Sequence, residues 1–178
     1  MAHSPEAPVA PGGRRRGNGG LPRGNGAGPA RLLLDDISKE IIEQLQQDGR
    51  RSYAAIGKAV GLSEAAVRQR VQRLLEAGAM QIVAVTDPMT LGFRRQTMIG
   101  VRCSGELEQV AGQLAAMPEI DYVVITAGSF DLLIEVVCED DDQLLEILSR
   151  VRALAGVTTT ETFVYLKLCK QTYSWGTR

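Results

Sequence analysis

Residues 52–78 read SYAAIGKAVGLSEAAVRQRVQRLLEAG. Ser52 suits a helix start, because its hydroxyl accepts a hydrogen bond from a first-turn N–H that has no partner inside the helix. Tyr53, Ile56 and Val60 recur at helical spacing as the inner face of a short helix, and Gly61 ends it. Leu62 packs in the turn. Ser63 caps a further helix running to about Ala77, with Val67, Val71, Leu74 and Leu75 facing inward. Glu64, Ala65, Arg68, Gln69 and Gln72 face outward, and Arg70 and Arg73 lie along the flank. Two short helices joined by a glycine-containing turn, the second rich in Arg and Gln, describe a helix-turn-helix. Arg and Gln grip guanine and adenine edges with paired hydrogen bonds. The candidate DNA-binding set is therefore Ser52, Ser63, Glu64, Ala65, Arg68, Gln69, Arg70, Gln72 and Arg73. Arg68, Gln69 and Gln72 are assigned to bases, and Arg70 and Arg73 to phosphates, which fix position without reading sequence. An amphipathic surface helix also turns its charges outward, so this helix alone does not separate a DNA reader from a solvated face.

The flanking residues complete a module over 32–86. Leu34, Ile37, Ile41, Ile42 and Leu45 form one apolar stripe, with Asp35 and Asp36 at the positive N-terminal end and Gln47-Asp48-Gly49 as the stop. After Gly78, the run Met80–Val85 reads as a strand and fits the wing of a winged helix. Ahead of the module, residues 1–31 hold five of the seven Pro and eight of the 19 Gly, with almost no large apolar side chain. Such a segment cannot offset the entropy of ordering, so a disordered basic arm is expected there. Its Arg14-Arg15-Arg16 cluster is either a non-specific phosphate contact or a solvated tail.

Charge is unevenly spread along the 178 residues. The totals are 20 basic and 21 acidic side chains, for a net charge of −1. Residues 1–31 nonetheless carry five Arg against one acid, and residues 81–178 carry eight basic against thirteen acidic. An acidic second half is repelled by DNA and by anionic membranes, which assigns double-stranded DNA to the first two segments.

Asp87, Pro88 and Gly92 interrupt regular structure, so residues 87–95 read as a hinge, with Arg94 and Arg95 either near the DNA backbone or simply solvated. Residues 96–172 then alternate strand and helix. The strands are Gln96–Cys103, Tyr122–Thr126, Leu132–Cys138 and Thr160–Leu168. Two helices carry Leu107, Val110, Ala111, Leu114 and Ala115, then Leu144, Leu145, Leu148, Val151 and Leu154. The order β-α-β-β-α-β makes the fold class α+β: a winged helix-turn-helix followed by a ferredoxin-like domain with both helices on one face of an antiparallel sheet. The other face is apolar and a chain this small does not cover it, which predicts dimerisation through that domain. Residues 173–178 form a tail.

Several chemistries are excluded. The single histidine, His3, lies in the low-complexity arm, which removes Ser-His-Asp and Cys-His catalysis and His-containing zinc sites. Cys103, Cys138 and Cys169 form neither a C-x-x-C pair nor an even framework, so they read as buried small hydrophobes or, less simply, a redox switch. The acidic run 139–142 lacks calcium-loop spacing and suits a helix N-terminus. Gly128-Ser129-Phe130-Asp131 is no nucleophile elbow, and no phosphate loop is present. The chain thus reads as no enzyme, with no cofactor and no metal. No apolar run reaches the roughly 20 residues of a membrane span and no secretory signal is visible, so a cytoplasmic protein without a membrane partner is expected.

Five stretches in order carry a resemblance: Leu34-Asp35-Asp36-Ile37, the Ser63–Leu74 helix pattern, Asp87-Pro88-x-x-Leu91-Gly92, Gly128-x-x-Asp131, and Thr160-x-Thr162. Together they make residues 34–172 similar to the Lrp/AsnC family of feast/famine transcription regulators. The resemblance implies a sequence-specific regulator whose C-terminal domain binds a small effector, mostly an amino acid, between dimers that assemble into octamers. Carried onto this chain, it implies an effector site of Gly128, Ser129, Phe130, Asp131, Thr160 and Thr162, with Asp131 facing an ammonium group and the threonines offering hydroxyls. Without the resemblance, Asp131 reads as a turn residue bonded to nearby backbone. Two other functions stand beside this one. They are an architectural DNA-binding protein without an effector, and a metabolite-binding module whose helix-turn-helix meets only protein.

Overall fold

A computed structural model describes residues 34–178, so the arm expected over 1–31, with His3 and its arginine cluster, lies outside the described residues. The first module has three helices: α1 (Asp36–Gln47), α2 (Tyr53–Val60) and α3 (Glu64–Glu76). Each begins at a side-chain cap. Asp35 accepts from the Ser38 N–H at 2.8 Å, Ser52 from Ala55 at 3.2 Å and Ser63 from Ala66 at 3.2 Å. Of the two aspartates expected at this N-terminal end, Asp35 is the cap itself and Asp36 lies in the first turn. Ile41, Leu45, Ile56, Val67 and Val71 form the core, with Ile37, Tyr53, Val60, Leu62 and Leu75 packed around it. Gly61 adopts φ 73° to turn the chain out of α2. Gly57 is buried, and a Cβ on it would stand 2.5 Å from the Leu62 carbonyl oxygen, so the turn lies directly on α2.

The expected wing strand is absent: residues 80–86 form no strand and pair with no strand. Met80 packs against the reading-head core, but Ile82, Val83 and Val85 are 47, 67 and 59% exposed, so the rest of the run has apolar side chains and no ladder. A single extended segment has nowhere to satisfy its backbone except water.

The second module contains β1 (Arg95–Cys103), α4 (Leu107–Ala115), β2 (Ile120–Ile125), β3 (Leu132–Cys138), α5 (Asp141–Arg152) and β4 (Val157–Val164). The sheet runs β2-β3-β1-β4 with every neighbour antiparallel, as the βαββαβ reading requires. Ile99, Val101, Leu132, Ile134 and Val136 meet Val110, Leu114, Leu144, Ile147 and Val151 of the two helices in one core. Each such side chain taken fully out of water contributes about 1.5–3 kcal/mol. The acidic run resolves as expected. Asp140 caps α5 by accepting from the Gln143 N–H at 2.9 Å, and Asp141 and Asp142 fall in its first turn.

Three strands differ from their expected bounds, β1 only by starting one residue earlier at Arg95. β2 starts at Ile120 and stops at Ile125. β4 spans 157–164 rather than 160–168: its ladder with β1 runs from Cys103, opposite Val157, back to Thr97, opposite Val164. One further bond, from the Tyr165 N–H to the Gln96 carbonyl at 2.9 Å, ends the ladder, and Leu166 beyond it is 95% exposed. Among the described residues no helix is long and apolar enough to cross a membrane.

Candidate DNA-binding face and effector turn

Helix α3 presents two faces set by its own periodicity. Val67, Val71 and Leu74 are buried, while Ala65, Arg68, Gln69, Gln72 and Arg73 point to solvent. Arg68 is braced rather than loose. Its Nη2 donates to Glu64 Oε1 at 2.9 Å, one turn earlier, and its guanidinium carbon lies 5.3 Å from the centre of the Tyr53 ring. The brace spans two helices, so it depends on the α2–α3 turn. Gln72 donates to Glu76 at 2.8 Å, again one turn away. Gln69 and Arg73 make no side-chain hydrogen bond among the described residues. Ser52 and Ser63 are used as helix caps.

Arg70 departs from its expected place at a phosphate. Its Nη1 donates to Asp35 Oδ2 at 2.6 Å and to Ser38 Oγ at 3.1 Å, with the side chain 30% exposed. The guanidinium therefore ties α3 to the start of α1. Hydrogen bonds from Ser38 and from Arg70 draw the Asp35 carboxyl down from 3.8 to about 2. Arg95, one of the two hinge arginines, is likewise paired inside the protein: it grips Asp141 with Nε at 2.5 Å and Nη2 at 2.9 Å. Helical spacing assigns Tyr53 only to the inner face of its helix. The i,i+4 spacing of Glu64 and Arg68 signals their pair, but nothing local signals the ring beneath the guanidinium.

The candidate effector residues fall on both sides of the sheet. Residues paired directly across antiparallel strands share a face. Thr160 pairs with Val101 and Thr162 with Ile99, so both threonines lie on the helix-covered side, and Thr160 Oγ1 accepts from Arg152 Nε at 2.9 Å. Phe130 lies on the opposite face against Gly100, where a Cβ would stand 2.6 Å from its ring. Its ring meets Phe163 edge-on at 6.0 Å, and the Arg102 guanidinium stands 5.6 Å away. Tyr165 on this side is pushed up to about 12 by burial and by the nearby Glu135 carboxylate, which also accepts from Gln96 at 2.9 Å.

Asp131 joins the turn to the sheet. Its Oδ2 accepts from the Cys103 N–H at 2.7 Å, its own N–H donates to the Val101 carbonyl at 3.0 Å, and its carbonyl accepts from Thr126 at 2.9 Å. The Thr126 hydroxyl closes the turn on the Phe130 carbonyl. Burial and the Asp131 charge raise the Cys103 thiol above its ordinary value. Gly128 and Ser129 are exposed at the tip, and a Cβ on Gly128 would meet nothing within 4 Å. The protein's own packing therefore makes no demand for glycine there.

Comparison with known proteins follows the same division. Residues 34–75 match the AsnC-type helix-turn-helix domain and residues 96–178 match a C-terminal dimeric alpha+beta barrel domain. The chain is 35% identical over 144 residues to the HTH-type transcriptional regulator FL11 of Pyrococcus furiosus, covering 80% of this chain and 95% of that protein. It is 30% identical over 145 residues to a proline dehydrogenase transcriptional activator of Rhizobium radiobacter, covering 78% and 93%. Among solved structures, the leucine response regulatory protein of Mycobacterium tuberculosis superposes with TM-score 0.71 at 25% identity, covering 78% of this chain and 96% of that one. A Neisseria meningitidis transcriptional regulator solved with L-Met shares the fold at TM-score 0.68 and 24% identity, covering 79% and 95%.

Proposed function

Because the chain belongs to the Lrp/AsnC family of helix-turn-helix transcriptional regulators, we propose that it reads a specific operator with α3 and alters that binding when a small effector, an amino acid, occupies its C-terminal domain. The observation that carries the reading is the outward row Ala65, Arg68, Gln69 and Gln72 on a helix whose opposite face is sealed. Ala65 leaves room for a base edge. Arg68 is pre-aimed by Glu64 and Tyr53, so less side-chain entropy is lost on contact. Glu64 also offsets its charge, which weakens indiscriminate attraction to phosphates and leaves guanine contact as its main reward. Arg73 takes the phosphate role, with Ser52 and Ser63 holding the two helix starts in position.

The effector reading rests on the exposed Gly128-Ser129 tip and on Asp131 beside it. Thr160 and Thr162 form a second, helix-side part of the site, reached from β4. The L-Met bound to the structural neighbour makes an amino acid the first class to try. The open sheet face, with Met98, Leu133, Tyr122 and Phe163, supports a dimer of this domain, and the octamer is the further assembly to test.

Selection of bound sequences from random DNA, followed by anisotropy titration with the winning duplex, tests the reading. Arg68→Ala is expected to lose about 1–3 kcal/mol of discrimination at one base position. Arg73→Ala is expected to weaken all sequences alike and to flatten the salt dependence. Unchanged sequence preference in Arg68→Ala overturns the assignment of α3. A thermal-shift screen of the amino acids, L-Met first, tests the effector, because a ligand at 100 times its dissociation constant stabilises by about 2.7 kcal/mol.

A further inference from the structure

The two modules are joined covalently by residues 78–94, a stretch with neither helix nor strand. Its ends are tied down, Ala79 to α3 and Arg94 to the Cys138 carbonyl, but residues 81–87 between them are exposed and belong to no strand, so this link alone does little to set the angle of the reading head. The chain supplies a second tether. After β4, the tail runs back to α1 of the reading head, where the Gly176 N–H donates to Gln46 Oε1 at 3.1 Å and the Thr177 hydroxyl donates to Glu43 Oε1 at 2.6 Å. Gly176 takes φ 72°, a left-handed turn that delivers Thr177 to the helix, and both residues are half-buried there while Trp175 remains 80% exposed. Charge agrees with the docking. Residues 165–178 carry Lys167, Lys170 and Arg178 with no acid, whereas α1 carries Asp36, Glu40 and Glu43 against Lys39.

We infer that residues 165–178 are a strap that fixes the angle of the helix-turn-helix on the sheet domain by docking Gly176 and Thr177 on Glu43 and Gln46 of α1. The strap continues directly from β4, the strand that bears Thr160 and Thr162. Fixing the angle matters because a dimer presents two reading heads, and only one separation of half-sites then matches both. The inference rests on the proposed DNA reading for its consequence, and on the tail contacts alone for the strap.

The experiment uses the full chain in three forms: wild type, Glu43→Ala/Gln46→Ala, and Thr177→Val. Trp175 is the sole tryptophan, so its fluorescence anisotropy reports the tail directly. Anisotropy close to that of the whole particle is expected in wild type, falling toward that of a free peptide in both variants. Each form is then titrated with the selected operator and with the same operator lengthened by about 5 bp, half a helical turn. Wild type is expected to lose more than about tenfold in affinity on lengthening, and the variants less than about threefold. Low anisotropy in wild type overturns the strap. Low anisotropy in the variants with an undiminished spacing penalty also overturns it, because the tail then docks without setting the angle. If wild type binds no DNA, the DNA reading fails, and the anisotropy alone still decides whether the strap exists.

Discussion

Replacing Gly57 by alanine tests the close contact on which the reading head is built. On an open helix this change stabilises by about 0.8–1.0 kcal/mol, because alanine loses less backbone entropy. Gly57 is not in the open. Its added Cβ stands 2.5 Å from the Leu62 carbonyl oxygen and 3.4 Å from the carbonyl carbon. Both are backbone atoms and cannot rotate aside. The Leu62 N–H also donates to the Gly57 carbonyl at 2.9 Å, so the turn is bound to the residue it would have to leave. Overpacking of this kind costs about 1–3 kcal/mol, so after the propensity gain the net loss reaches about 2 kcal/mol at most. In a domain of 60–100 residues each kcal/mol lowers the melting midpoint by about 4–8 °C. Since α3 hangs from this turn, Arg68 and Gln69 move with it and operator affinity falls as well. Gly112 is the matched control: it lies in α4, a Cβ there meets nothing within 4 Å, and alanine is expected to stabilise. Hydrogen exchange on the full chain reads both changes separately. Faster exchange confined to 36–76 is expected for Gly57→Ala, and slower exchange in α4 for Gly112→Ala. Equal or greater protection of α2 and α3 in Gly57→Ala, with operator affinity intact, refutes the reasoning.

Asp35 sits about 2 in the folded chain against an ordinary 3.8, so its contribution is whole above 3.8 and is lost as pH falls through about 2. The melting temperature of the reading head should therefore drop between about pH 4 and pH 2, and Asp35→Asn should flatten that drop; equal acid slopes would count against the Arg70 tie. Asp131→Ala removes the acceptor for the Cys103 N–H and should cost about 1–3 kcal/mol together with any effector-induced thermal shift. Asp131→Asn keeps an acceptor, so it should restore stability while leaving the shift weakened; a full shift in the asparagine chain removes the carboxylate from the effector site. Gly100→Ala forces Phe130 off the sheet and should break its contacts with Phe163 and Arg102, seen as loss of dimer in sedimentation at concentrations where wild type stays paired.

What was legible in the sequence was local. Ser52 and Ser63 declare helix starts because a cap acts within three residues. Leu132–Cys138 was bounded correctly, because the turn before it and the acidic helix start after it are both written in adjacent residues. The candidate site was legible only in part. Residue spacing put Arg68, Gln69 and Gln72 outward, yet it could not show Arg70 turning to Asp35 across 35 positions, nor Thr177 reaching Glu43 across 134. Periodicity reports which face a residue takes, and says nothing of which distant partner waits there. The effector set was split for the same reason: motif order places Phe130, Thr160 and Thr162 in sequence, whereas strand pairing puts both threonines on the helix-covered side and the Phe130 ring lies against Gly100 on the other.

The strand expectations that failed share a cause. Met80–Val85 and the run from Tyr165 to Leu168 have apolar side chains in extended chain, yet a strand exists only where a second strand faces it. Within one chain, the β1–β4 ladder stops at Thr97 opposite Val164 with one further bond from Tyr165 to Gln96, and residues 81–86 pair with no strand among the described residues. Ile82, Val83, Val85, Leu166 and Leu168 are consequently left in water, at 47–95% exposure. A sequence does not place such residues on two extended segments without cover, because each exposed run is a template for unwanted pairing. The matching C-terminal family is a dimeric barrel, and the open sheet face points the same way. An apolar pattern of this kind marks residues suited to a strand, and a single chain does not supply the partner strand that either run needs.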